Sequence, residues 1–122
     1  LQFIPVSAPL PRGILANSFV QVPAEVDAAR VEQLYREAYE GAAFVRVLGG
    51  GGRQAEVVAI KGSMWVDVSW TVGRVVDGRR QLVLTSALDN LVKGGAGQAV
   101  QSMNLMLGLP ETMGIDAPAL WP

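Results

Sequence analysis

Between Met64 and Val72 the chain alternates without a break: Met64, Val66, Val68, Trp70 and Val72 fall on one side, and Trp65, Asp67, Ser69 and Thr71 on the other. A repeat of two residues is the period of an extended strand, not of a helix. Asp77-Gly78 follows, a pair suited to the positive φ angles of a two-residue turn, and Leu82 to Thr85 then reads as the returning strand. The chain must therefore build a sheet around an antiparallel hairpin. One face of the first strand is expected to be dry and the other wet, with Asp67 and Lys61 on the solvated side. Trp65 on that wet side then points to an interface.

The rest of the chain adds a few elements to this hairpin. From Gly13 to Val22 both alternating sets of residues are partly apolar, which predicts a strand well inside the sheet. Pro23 ends it. Asp27 is placed to cap a helix in which Val31, Leu34, Tyr35 and Ala38 recur at three- and four-residue spacing, and Gly41 closes it; the expected span is about Asp27 to Glu40. Phe44 to Leu48 reads as a short strand, and the four glycines Gly49 to Gly52 as a mobile connection.

The last element carries Ala96, Ala99, Val100, Met103, Met106 and Leu107 as a helical stripe that Pro110 ends. No residue between Lys93 and Glu111 is ionisable, and Gln98, Gln101, Ser102 and Asn104 lie opposite the stripe. A solvent-facing helix normally carries charge there, so this one is expected to pack on both sides, against its own sheet and against a second domain or subunit. The alternative is an uncharged surface helix. The sequence holds too few helices for a strictly alternating parallel sheet, and the predicted fold class is α+β, an antiparallel or mixed sheet with helices packed on one face.

Composition narrows function more than fold. At 122 residues the chain suits a single domain that buries roughly two-thirds of its unfolded surface. Lys and Arg number 10 against 11 Asp and Glu, which gives no electrostatic reason to expect nucleic acid or an anionic membrane as partner. The absence of Cys and His removes thiol nucleophiles, disulfides, the usual zinc ligands and the side chain that titrates near neutrality. No apolar run approaches the roughly 20 residues of a membrane span, and no signal-peptide pattern opens the chain. A cytoplasmic, soluble domain is expected. Phe3-Ile4 reads as the end or middle of a strand, and with Leu1 first residues 1–122 are expected to be an excerpt of a longer protein.

Two places could carry chemistry. Leu88 to Gln98 runs from a strand end into the uncharged helix, with small residues that leave backbone N–H groups open to an anion or carbonyl, Lys93 adding charge and Asn90 an amide. Close packing of the helix against a neighbour explains the same glycines. Arg12 stands between Pro11 and Gly13 at the mouth of a strand, either as a clamp for a carboxylate or phosphate or as an ordinary surface arginine.

The run LDNLVKGGAGQAVQSMNLM from Leu88 to Met106, continuing through Gly108-Leu109-Pro110-Glu111-Thr112, closely resembles the carboxy-terminal signature of the N-acetyl-gamma-glutamyl-phosphate reductases of arginine biosynthesis. Phe3-Ile4-Pro5, Pro9, Arg12-Gly13-Ile14-Leu15, Tyr35 to Tyr39 and Phe44 to Val47 resemble other parts of that family. The family departs from this chain at Val6-Ser7, where a His-Leu pair is common, and at Gly62-Ser63-Met64, where many members carry Gly-Ser-Asn.

The resemblance implies a fold like the carboxy-terminal domain of glyceraldehyde-3-phosphate dehydrogenase. It also implies NADPH-dependent reduction of N-acetylglutamyl phosphate to the semialdehyde, in a homo-oligomeric enzyme whose cysteine, histidine and dinucleotide-binding domain lie outside this chain. By the same likeness, Asn90, Leu91, Lys93 and Gly94 would border the nicotinamide end of NADP, and Arg12 the substrate anion. The isolated chain would be inactive, with no catalytic residue and no metal. The final helix would pack on the missing dinucleotide domain. A lysine-pathway reductase of aminoadipyl phosphate and a non-catalytic dimerisation or docking module are the alternatives.

Overall fold

The structure, a computed structural model, describes residues 2–120; Leu1, which bears on the excerpt reading, lies outside them. Its elements are β1 (Ile14–Pro23), α1 (Ala28–Ala38), β2 (Val45–Gly49), β3 (Val66–Val76), β4 (Arg79–Leu88) and α2 (Gly97–Met106), with a 3-10 turn at Val57–Ala59 and a π-turn over Val92–Ala96. The strands form one mixed sheet in the order β1-β4-β3-β2, with β2 parallel to β3 and the other neighbours antiparallel. The fold class is α+β, as expected. Asp77 and Gly78 join β3 to β4 at φ 50° and 73°, the left-handed pair that matches the twist of a hairpin. Asp27 caps α1, its Oδ1 accepting from the Arg30 N–H at 2.8 Å.

Helix α1 covers one face of the sheet. Its Val31 meets the buried Trp70 and Leu82, and Tyr35 stacks on the Trp70 indole at 4.8 Å, ringed by Val22, Val26, Val47, Val72 and Leu84. The opposite face departs from the expected solvated one: Asp67 and Ser69 are both fully buried. The segment between β2 and β3 folds back over them. Arg46 grips Asp67 with two hydrogen bonds, Nε to Oδ1 at 2.6 Å and Nη2 to Oδ2 at 3.1 Å, which makes burial of the carboxylate tolerable. Ser69 Oγ accepts from the Ala55 N–H and donates to Gln54 Oε1.

Trp65 is half-buried, edge-on to Phe44 and beneath the Arg46 guanidinium. Lys61 is half-buried, its carbonyl accepting from the Leu120 N–H.

Four further expectations change. Strand β1 is an edge, not an inner strand, and Phe19 on it is 79% exposed; apolar residues on both faces do not distinguish a strand with two neighbours from one with a single neighbour. Phe3 and Ile4 belong to no strand and are exposed. In the glycine run, Gly49 is buried at the end of β2, and a Cβ on Gly50 would overlap the Trp70 indole nitrogen. Close approach calls for glycine at position 50 and a left-handed φ of +85° at Gly49, while Gly51 and Gly52 are exposed with open space around them.

In α2 the inward residues are Gly97, Gln101 and Asn104, while Met103, Leu105, Met106 and Leu107 face out, with Met106 85% exposed. The amides turn inward because they have partners there. Asn104 Nδ2 donates to the Glu111 and Met113 carbonyls at 3.2 and 3.0 Å, satisfying the turn that follows the helix.

Candidate functional site

Antiparallel pairing of β1 with β4 sets Ile14 opposite Leu88, so the residues entering β1 lie beside those leaving β4. Arg12 and Gly13 thereby meet Asp89 and Asn90 across 77 positions of sequence. The Gly13 N–H donates to Asn90 Oδ1 at 2.6 Å, and Arg12 Nε lies 2.7 Å from Asp89 Oδ2. Gly13 takes φ +109°, and a Cβ there would overlap Val57 Cγ1; only glycine fits the junction. With Oδ1 of Asn90 turned to the Gly13 N–H, its Nδ2 donor group is, among the described residues, free for a ligand.

Asp89 is fully buried at the centre of this junction. Besides the Arg12 pair, its Oδ2 accepts from the Gly62 N–H at 2.6 Å, and its Oδ1 from the N–H groups of Leu91 and Val92 at 2.9 and 3.0 Å. Burial alone would raise its pKa, but Arg12 and the three backbone donors outweigh that and hold the carboxyl below its ordinary value. The sequence reading passed over Asp89. An acidic residue between a strand and a helical turn is a capping signal that could have found it.

The turn after Asp89 is a π-turn, with Gly94 N–H bonded to the Asp89 carbonyl, Ala96 N–H to Leu91 and Gly97 N–H to Val92. These amides, with those of Leu91 and Val92, are therefore satisfied within the chain, contrary to the expectation of open donors. The glycines divide by role. A Cβ on Gly97 would overlap Met64 Sδ and lie 2.8 Å from the Val92 carbonyl oxygen, whereas one on Gly94 meets nothing closer than 3.6 Å. Gly97 serves close packing, and Gly94 lies on an open surface with the exposed Leu91 and Gly95.

Lys93 turns along α2, donating to Gln98 Oε1 at 2.8 Å and Gln101 Oε1 at 2.6 Å; Gln101 in turn donates to Glu111 Oε1. Burial lowers the Lys93 pKa, opposed by the nearby Glu111 charge. The fold thus gathers Arg12, Asn90, Leu91 and Gly94 at one end of the sheet and draws the Lys93 ammonium back onto the helix. Among the described residues no acidic cluster suits a metal ion, and no helix is long and apolar enough to cross a membrane.

A mixed four-stranded sheet, one face under a single helix and the other under a returning loop, agrees with what a comparison of families finds. The chain belongs to the semialdehyde dehydrogenase dimerisation-domain family, whose model, described as "Semialdehyde dehydrogenase, dimerisation domain", matches residues 1–90. Among individual proteins it is similar to the N-acetyl-gamma-glutamyl-phosphate reductases of Geobacter metallireducens, at 42% identity, and Geobacter sulfurreducens, at 43%, each over 100% of this chain and 34% of the relative. A putative LysW-L-2-aminoadipate 6-phosphate reductase of Thermomicrobium roseum is 41% identical over 91% of the chain and 32% of that protein. The chain spans about a third of the length of the curated relatives it matches.

Proposed function

We propose that this chain is the carboxy-terminal, dimerisation-domain part of a cytoplasmic, homo-oligomeric, NADPH-dependent reductase that converts N-acetylglutamyl 5-phosphate to N-acetylglutamate 5-semialdehyde in arginine biosynthesis. The observation that carries the reading is the register of β1 against β4, which brings Arg12 beside the Asp89 to Gly94 segment, in a chain over 40% identical along its whole length to reductases of that name.

Arg12, its side chain about a quarter exposed, binds an anionic group of the substrate. Asn90 offers its Nδ2 donors to a carboxamide, and the open surface of Leu91 and Gly94 suits the flat face of a nicotinamide. Lys93 joins them by releasing its glutamine partners. When bound, the cofactor supplies hydride to the acyl carbon. The nucleophile and the proton-transferring group come from the rest of the protein, since this chain has neither Cys nor His, and the isolated chain is inactive.

The test is steady-state kinetics of the complete protein with N-acetylglutamyl phosphate and NADPH. Arg12→Ala should raise KM for the acyl phosphate and leave that for NADPH nearly unchanged; Asn90→Ala should do the reverse. No turnover of this substrate by the complete protein would overturn the reading. The Thermomicrobium relative favours a second substrate, a carrier-bound aminoadipyl phosphate, and preferential turnover of that compound would move the assignment to it.

A further inference from the structure

Nothing in the proposed function assigns a role to Asp89, yet it has more partners than any other buried polar side chain at the site. Its two oxygens hold four groups from three separate stretches of chain: Arg12 before β1, Gly62 before β3, and Leu91 and Val92 after β4. It has no exposed surface, so it cannot itself touch a ligand. What it can do is decide where its partly exposed partner stands.

The Arg12 Nε–H is not aimed in line at Asp89 Oδ2 despite the 2.7 Å separation. The contact is thus one of charge attraction, and the position of the guanidinium depends on the carboxylate's charge more than on a directed hydrogen bond. The backbone one residue later is fixed independently, by the Gly13 N–H on Asn90 Oδ1. The junction therefore restrains Arg12 at both its backbone and its head, and Asp89 supplies the second restraint.

We propose that Asp89 is a positioning residue: its buried carboxylate holds the Arg12 guanidinium at the end of the sheet in the place from which it meets an anionic substrate. This rests on the assignment of Arg12 to the substrate anion. A long, flexible side chain restrained before binding loses less freedom on binding, and a misplaced charge loses much of its effect.

Kinetics of the complete protein test this with Asp89→Asn, which keeps the shape, and Asp89→Ser, which keeps an acceptor for the Leu91 and Val92 N–H groups but no charge. Both should raise the acyl-phosphate KM on the order of tenfold or more while kcat and the NADPH KM move far less. Calorimetric titration with N-acetylglutamate, a stable anion of the same class, should show the same weakening without turnover. In an Arg12→Ala background the Asp89 substitutions should add nothing to the substrate KM, whereas a merely structural role would add its full effect.

If Arg12→Ala raises KM but the folded Asp89 variants do not, positioning is overturned and the Arg12 assignment stands. An unchanged KM in Arg12→Ala overturns both. Should neither Asp89 variant fold, Asp89→Glu keeps the charge but displaces it by one methylene, and a substrate KM equal to that of the parent would overturn the proposal.

Discussion

Replacing Gly13 by alanine should destabilise this chain more than the same change at an unobstructed turn glycine such as Gly41, because two separate penalties meet there. The residue takes φ +109°, outside the usual regions for a side chain, at a cost of order 1–3 kcal/mol. The new methyl would also overlap Val57 Cγ1, with Val57 Cβ and Cγ2 at 3.2 Å, and overpacking of this kind costs about 1–3 kcal/mol. Together they predict a loss of about 2–6 kcal/mol, a fall in Tm of roughly 10–25 °C for a domain of this size. Gly41→Ala is the control: it shares a positive φ, +74°, but has no neighbour within 4 Å, so only the left-handed penalty of about 1–2 kcal/mol applies. Urea and thermal unfolding of the two variants beside the parent chain measure the difference. Val57→Ala, harmful alone, should recover part of the loss in the Gly13→Ala background. Equal losses for Gly13→Ala and Gly41→Ala would refute the crowding argument, and no recovery with Val57→Ala would refute Val57 as its cause.

Other consequences follow from single residues. Asp89 has a lowered pKa when folded, so the unfolded chain binds the proton more readily; its contribution is complete above the ordinary value of 3.8 and is lost as pH falls through and below it. Acid titration of stability should show that loss in the parent and a shallower one in Asp89→Asn. Trp70 is wholly buried against Tyr35, and Trp70→Ala should cost about 3–5 kcal/mol by denaturant unfolding. Trp70→Phe should cost clearly less, since the indole N–H has no hydrogen-bond partner to lose. Met106→Lys, on a side chain 85% exposed, should change stability by less than about 0.5 kcal/mol. By light scattering it should reduce self-association of the isolated chain, and unaltered association would mean that the outer face of α2 takes no part.

Much of the fold follows from local rules. The Asp77-Gly78 hairpin, the Asp27 cap and the extent of α1 depend on periods and turn chemistry that act over a few residues, and a sequence states these directly. Arg12 and Asn90 were legible as candidates for the same reason, each flanked by residues that stiffen or open the backbone. That they share one site was not, because it depends on β1 pairing with β4 in a register that sets Ile14 opposite Leu88.

The same limit explains the inverted faces. Asp67 and Gln101 are polar by composition, and a periodic pattern sends polar residues outward. Partners distant in sequence or around a turn, Arg46 for the first and Lys93 with Glu111 for the second, make burial possible and reverse that rule. Asp89 is the clearest case. The sequence alone determines that an acidic residue stands between a strand and a helical turn; only the tertiary structure gathers Arg12, Gly62, Leu91 and Val92 around it, because hydrogen bonds between distant segments form only after the sheet has set their register.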